Sequence, residues 1–215
     1  MLKINKRHIP LDLIAPHIPT NPIIVEAGAH IGRGTKKMSA FWPNGTIHAF
    51  EPIPEIFTSL KKRTVGCTNV VYHNYALSNS SISQEIFVSG GRTTAVSSLL
   101  EPKEFKKEKP DVTFTSQKIE TIALDDWAKQ NNINHVDLLW LDLQGAELLA
   151  LQGATNILTS VTAIHIEVAL TERYKNNPLY TEITAWLQKN GFKPLIEAFA
   201  DPTWGNVLFI KKALL

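Results

Sequence analysis

Three acids stand where an open α/β sheet would present them to a ligand. Glu26 closes the apolar run Ile23-Ile24-Val25, two residues before the turn Gly28-Ala-His-Ile-Gly32-Arg-Gly34. Glu51 closes a second run, Thr46 to Phe50, and is followed by Pro52. Asp142 lies near the end of a third, 136–143. Strand, glycine turn, helix, strand, acid is the first half of a nucleotide-binding sheet. The glycines do not have dinucleotide spacing. Counted from Gly28, the three fingerprint positions hold Gly28, His30 and Arg33; counted from Gly32, they hold Gly32, Gly34 and Lys37. A carboxylate at Glu26 would also repel a pyrophosphate. It suits a ligand that has no phosphate and carries a positive sulfonium and ammonium, as S-adenosylmethionine does. Glu51 lies 23 residues after Gly28, near the offset of about 20 at which an acid accepts ribose hydroxyls. The competing reading is plainer: the glycines permit a tight turn, and Glu51 is a solvated strand end.

The elements that must position these acids follow from pattern. Four prolines and no clear period make residues 1–22 a leader with at most a short helical turn. Residues 23–215 form one domain. Strands are expected at 22–27, 46–50 and 70–75, with helices at 33–41, stopped by Pro43-Asn-Gly45, and at 54–63, where Pro54 suits the first turn. An insertion at about 79–122 then breaks the alternation, with strands at 82–88 and 112–122 around a charged, exposed loop at 101–111. A helix at 124–131 leads to the nearly continuous apolar run 136–143, as a central parallel strand requires. A helix from Gln144 to about Leu158, a strand at 161–170 and a helix at 180–190 follow. Residues 192–199 and 206–211 close the sheet as an antiparallel pair. The order predicts an α/β fold with a seven-stranded, mostly parallel sheet, helices on both faces and the last strand antiparallel.

Composition narrows the function. A chain of 215 residues can bury a real core as one domain. A net charge of +2 gives no global field for nucleic acid. The single cysteine, Cys67, allows no internal disulfide and fits a reducing, cytoplasmic location. No apolar stretch has signal-peptide or membrane-spanning quality.

Five motifs together resemble the FkbM family of methyltransferases, over residues 23 to 212. They are Val25 through Gly32, Phe50-Glu-Pro-Ile-Pro54, Asn74-Tyr-Ala-Leu-Ser78, Ser97-Ser98, and Asp142-Leu-Gln-Gly-Ala-Glu147 followed by Leu151-Gln-Gly-Ala154. The resemblance implies the class I, Rossmann-like methyltransferase fold. It also implies S-adenosylmethionine-dependent O-methylation of a hydroxyl on a small-molecule or glycan acceptor, foremost a sugar of a glycoconjugate, with S-adenosylhomocysteine as product. Where the family often has a lysine two residues before the Asp of its last motif, this chain has Trp140. Carried over by position, Glu26, Gly28, His30 and Gly32 surround the methionine end of the cofactor, and Glu51-Pro52 hold the ribose. Ala76, Leu77 and Ser78 wall the adenine. His30 could instead bond its own turn, and Leu77 could be plain core.

Asp142, at a strand's carboxyl end, reads as a cofactor or acceptor ligand and general base, or else as the cap of the following helix. His165 and Glu167 lie two apart on one strand and share a face. They are further candidate bases, or a structural His–Glu pair. Arg92, Ser97, Ser98, Glu147 and Trp204 are acceptor-side candidates; Glu147 also suits the first turn of a helix through the dipole, and Trp204 could be core. Lys61 to Arg63 and Lys103 to Lys109 read as solvated faces. There is no zinc-type Cys/His spacing, while the carboxylates leave Mg2+ assistance open. Two other functions compete: methylation of RNA or a protein side chain, and a non-catalytic S-adenosylmethionine-binding module. No nucleic-acid partner and no membrane insertion are expected.

Overall fold

A computed structural model describes residues 1–103 and 110–212. Its main sheet has eight strands: β1 (Leu2–Ile4), β2 (Ile23–Ala27), β3 (Thr46–Phe50), β4 (Val70–His73), β8 (Leu138–Leu141), β9 (Ala163–Ala169), β10 (Phe192–Ala198) and β11 (Trp204–Lys211). Their spatial order is β1-β10-β11-β9-β8-β2-β3-β4. β11 alone runs antiparallel to its neighbours. The remaining strands, β5 (Ala76–Ser78), β6 (Ser83–Gly91) and β7 (Val112–Ala123), form a separate sheet in the order β5-β7-β6. Helices are α1 (Leu11–Ile14), α2 (Arg33–Phe41), α3 (Pro54–Arg63), α4 (Leu124–Gln130), α5 (Glu147–Gln152) and α6 (Tyr180–Lys189).

The central strands are apolar on both faces because both are covered. Val25, Leu139, Leu141, Ile164 and Ile166 pack with Trp127, Leu151, Leu158 and Leu187. Ile24, Ile47, Leu138 and Leu208 pack on the other face with Ile9, Ile14, Met38 and Trp42. β2 and β8 run parallel side by side, but the strands that pair with them next, β3 and β9, lie on opposite sides, so the order of strand addition reverses between β2 and β8. At such a switch point the connecting loops diverge and leave a crevice.

Two expectations need correction. The sheet has eight strands rather than seven, because the first residues are not loose. Leu2, Lys3 and Ile4 pair in parallel with Ile196, Glu197 and Ala198 at the sheet edge, Lys3 meets Glu197 at 3.4 Å, and Ile9 and Ile14 are buried. The prolines there start helical turns: Pro10 precedes α1, and Pro16 lies in the first turn of a 3-10 turn, Ala15–His17. The helix expected from Gln144 to Leu158 is also broken. α5 stops before Gly153, whose missing Cβ would lie 2.1 Å from the Ser78 carbonyl. A separate 3-10 turn, Ile157–Thr159, follows, with Asp125 accepting from the Asn156 and Ile157 amides. Of the expected charged loop 101–111 and the charged run Lys103 to Lys109, residues 104–109 lie outside the described residues.

Candidate active site

A cavity of about 1060 Å³ opens at the carboxyl ends of β2, β3 and β8. Its back wall is tied together by backbone. The Gly28 and Ala29 amides donate to the Phe50 carbonyl, and the Asp142 amide donates to that of Ala27. Gly28 has φ +84°, and a Cβ there would lie 2.0 Å from the Asp142 carbonyl oxygen. Glycine is required at 28 so that β2 and β8 can converge. Two bulkier residues of this wall, His30 (φ 49°) and Gln144 (φ 53°), also hold left-handed backbone. Such conformations cost free energy and persist only where surrounding structure fixes them.

Glu26 and Glu51 line the cavity although each is almost wholly buried, 3% and 4% exposed. The Thr35 hydroxyl, in the first turn of α2, donates to Glu26 Oε2 at 2.5 Å. A Cβ on Gly34 would lie 2.6 Å from Oε1, so this glycine leaves room for the carboxylate. Each oxygen of Glu51 accepts one backbone N–H, from Ile53 and from His30, both at 3.0 Å. Asn74 braces the next turn by donating to the Glu51 and Pro52 carbonyls. Burial raises both acids to about 7; the charge of Asp142 adds to the effect on Glu26, while the two amides oppose it on Glu51.

The acids that follow β8 and the one on β9 are arranged differently. Asp142 is half-buried on the cavity wall. The Gln144 amide nitrogen bridges Asp142 Oδ1 at 2.8 Å and Glu167 Oε2 at 2.7 Å. Glu147 turns into its own loop, where Oε1 accepts from the Leu143 and Gly145 amides. Burial lifts all three: Glu147 to about 7, Asp142 above its ordinary range, and Glu167 well above it, helped by the charges of Asp142 and Glu147. Only Asp142 of the three lines the large cavity. Glu147 and Glu167 line a narrow crevice behind it, together with Trp204.

The remaining sequence-predicted residues divide between the cavity and its supports. Gly28, His30, Pro52, Ala76, Leu77, Arg92, Ser97 and Ser98 line the cavity with the three acids. His30 does not bond its own turn through its ring; Nε2 shares a 2.9 Å hydrogen bond with the Thr94 hydroxyl, joining the glycine turn to the β6–β7 insertion. Ser98 is a latch, its hydroxyl donating to the Gln144 carbonyl at 2.8 Å. Gly32 packs against Leu60 and Thr64, and Ser78 is buried against Gly153. Neither of these two lines the cavity. His165 is buried behind the wall, stacked 3.6 Å from the Trp140 ring. Neither of its nitrogens has a hydrogen-bond partner among the described residues, and it makes no hydrogen bond to Glu167. Burial lowers its pKa to about 3. Trp204 has the Arg7 guanidinium over its ring at 5.7 Å.

Several wall residues were not singled out in the sequence. His8, Pro10 and Leu11 come from the N-terminal segment, which Asn206 tethers by donating to the Arg7 carbonyl. Arg33, Lys37, Thr94, Trp140 and Gln144 also line the cavity. Only Gln144 and Trp140 had a local signal, as members or neighbours of the Asp142 motif. The described residues include no group of three or more His, Cys, Asp or Glu that could hold a metal ion, and no helix long and apolar enough to cross a membrane.

Comparison with known proteins gives the family and the fold. The methyltransferase FkbM domain model matches residues 26–194. The 2-O-methyltransferase NoeI of Sinorhizobium fredii is 26% identical over 161 residues, 72% of this chain and 66% of that protein. Methyltransferase sdnD of Sordaria araneosa is 26% identical over 214 residues, covering 82% and 75%. Among solved structures, methyltransferase FkbM from Methylobacillus flagellatus superposes with a TM-score of 0.57 at 14% identity, over 89% of this chain and 44% of that one. Fibrillarin from Aeropyrum pernix, solved with S-adenosyl-L-methionine, gives 0.52 at 13% identity over 90% and 69%. The chain thus spans 66% of the length of NoeI and 44% of the Methylobacillus chain. The fold is that of the class I methyltransferases. The chain belongs to the FkbM methyltransferase family.

Proposed function

We propose that this chain moves a methyl group from S-adenosylmethionine to a hydroxyl of a small molecule, foremost a sugar of a glycan or glycoconjugate. The observation that carries the donor half is the pair Glu26 and Glu51, two buried carboxylates at the ends of adjacent strands that face one cavity. The wall fits the cofactor. Glu51 keeps its oxygens fixed by two amides and can still accept from ribose hydroxyls. Glu26 supplies negative charge for the ammonium end, with Gly28, His30 and Gly32 shaping the turn beside it. Pro52, Ile53, Ala76 and Leu77 offer an apolar face for the base, with Ser78 supporting it. When bound, S-adenosylmethionine supplies a methyl group, activated by the sulfonium charge, that passes to the acceptor oxygen and leaves S-adenosylhomocysteine.

On the acceptor side the protein must align the reacting atoms at roughly 3 to 3.5 Å and take up the hydroxyl proton. Asp142 is the base in this reading. It stands on the cavity wall, and its raised pKa makes it a better proton acceptor than a free carboxylate. Gln144 holds it through Oδ1, while Glu167, Glu147 and His165 act behind the wall as supports. Arg92 and Ser97 face the acceptor from the insertion. The name of NoeI, a 2-O-methyltransferase, favours oxygen as the acceptor atom. Residues 23–215 act as one catalytic domain with 79–122 inserted, joined by the N-terminal segment through β1 and the buried Ile9 and Ile14, and the free Cys67 fits a cytoplasmic location. The test is transfer of a tritiated methyl group from S-adenosylmethionine to a panel of sugars, glycolipids, RNA and peptides. Label is expected in the sugars and glycolipids; label found only in RNA would overturn the reading.

A further inference from the structure

The cavity wall sorts its ionisable groups by depth. Its carboxylates, Glu26, Glu51 and Asp142, are buried or half-buried at strand ends. Its exposed side chains that carry charge near neutral pH are all basic: His8 from the N-terminal segment, Arg33 and Lys37 one turn apart on α2, and Arg92 just past the end of β6; the exposed Tyr75 is the other ionisable group there. None of these four makes a salt bridge with a carboxylate among the described residues. The chain as a whole carries only +2, so general basicity does not explain a mouth without an acid. Three segments far apart in sequence bring these groups to one opening. Two of them reach inward electrostatically, His8 onto Asp142 and Arg33 onto His30.

The acidic floor matches a cationic cofactor. The basic rim opposes that charge and matches something else. We propose that the acceptor carries an anionic group (phosphate, sulfate or carboxylate) that Arg33, Lys37 and Arg92 hold at the mouth while its hydroxyl reaches Asp142. Guanidinium groups suit this task, since their planar fork takes two oxygens of such a group at once. Exposed cations of one sign at a cleft also raise the local concentration of an oppositely charged ligand. The inference rests on the methyl-transfer reading, because that reading assigns the floor to the cofactor and leaves the rim to the acceptor. The rival duty for the same cations is the carboxylate of the cofactor itself.

Calorimetry separates these duties. The protein, saturated with S-adenosylhomocysteine at low salt, is titrated with glucose, glucose 6-phosphate, glucose 6-sulfate and glucuronate. At least one charged sugar is expected to bind about tenfold or more tightly than glucose, and to weaken as salt screens the rim. Arg33→Glu/Lys37→Glu and Arg92→Glu should each lower that affinity about tenfold and leave S-adenosylhomocysteine binding and the melting temperature nearly unchanged. Equal binding of glucose, no binding of any charged sugar, or charged-sugar affinity that survives both variants overturns the inference. So does a loss confined to S-adenosylhomocysteine, which would hand the rim to the cofactor. Failure of the unaltered protein to bind S-adenosylmethionine or S-adenosylhomocysteine at all strikes the methyl-transfer reading instead.

Discussion

The acids at the ends of β2 and β3 are buried, and those that follow β8 or lie on β9 are buried (Glu147) or half-buried (Asp142, Glu167), but the two groups differ most in use. Glu26 and Glu51 are held from one side and look into the cavity. Glu147 and Glu167 are satisfied by their own loop and by Gln144, and they face a narrow crevice. Burial raises the pKa of every one of them. A raised carboxylate pKa therefore does not by itself mark a ligand site here; what the carboxylate faces decides. Asp142 belongs to both groups, since it shares Gln144 with Glu167 and stands on the cavity wall.

The largest effect should separate Asp142 from its neighbours. Asp142→Asn keeps the hydrogen-bonding shape and removes the base, so the rate of methyl transfer should fall by about 10²- to 10⁴-fold with cofactor affinity little changed. An unaltered rate would move the base elsewhere, with His8 the next group on that wall. Next comes pH. Glu26 and Glu51 sit near 7 in the free protein, and a cationic ligand favours their ionised forms. Affinity for S-adenosylmethionine should thus be lower at pH 6 than at pH 8, by about tenfold for one coupled carboxylate. Calorimetry in buffers of different ionisation heat should detect proton release on binding at pH 6. Tighter binding at pH 6 would mean that the ligand prefers the protonated acids.

Smaller effects test the group behind the wall. Glu147→Ala leaves the Leu143 and Gly145 amides without their acceptor, so it should cost about 1–3 kcal/mol of stability in denaturant melts and spare cofactor affinity. The smallest change belongs to His165→Leu. Neither ring nitrogen is bonded, so its loss should shift stability by less than about 1.5 kcal/mol and leave the pH profile of transfer in place. A profile that loses a limb in this variant would return His165 to the chemistry.

Much of the acid-lined cavity wall was legible because it is local. Glu26, Gly28, His30 and Glu51 lie within 26 residues, and the strand and helix bounds around them follow from runs of apolar residues and from Pro43-Asn-Gly45. The rest depends on packing between distant segments. Four prolines made residues 1–22 look unstructured, yet pairing of Leu2–Ile4 with β10 and burial of Ile9 carry His8 to the cavity. Thr94 becomes a partner of His30 only because the insertion folds back over the glycine turn. Period-two alternation put His165 and Glu167 on one face, but it could not say that Trp140 would shield the first and that Gln144 would hold the second.

One paired titration tests the difference between the two groups of acids most directly. S-adenosylhomocysteine affinity is measured for the unaltered protein, for Glu51→Ala and for Glu167→Gln, each checked for an intact fold by circular dichroism. Glu51→Ala should bind more than about tenfold less tightly, because a charge-assisted contact is lost, while Glu167→Gln should match the unaltered protein. Full affinity in Glu51→Ala, or a comparable loss in Glu167→Gln, would contradict the assignment of the cavity-facing acids to the cofactor.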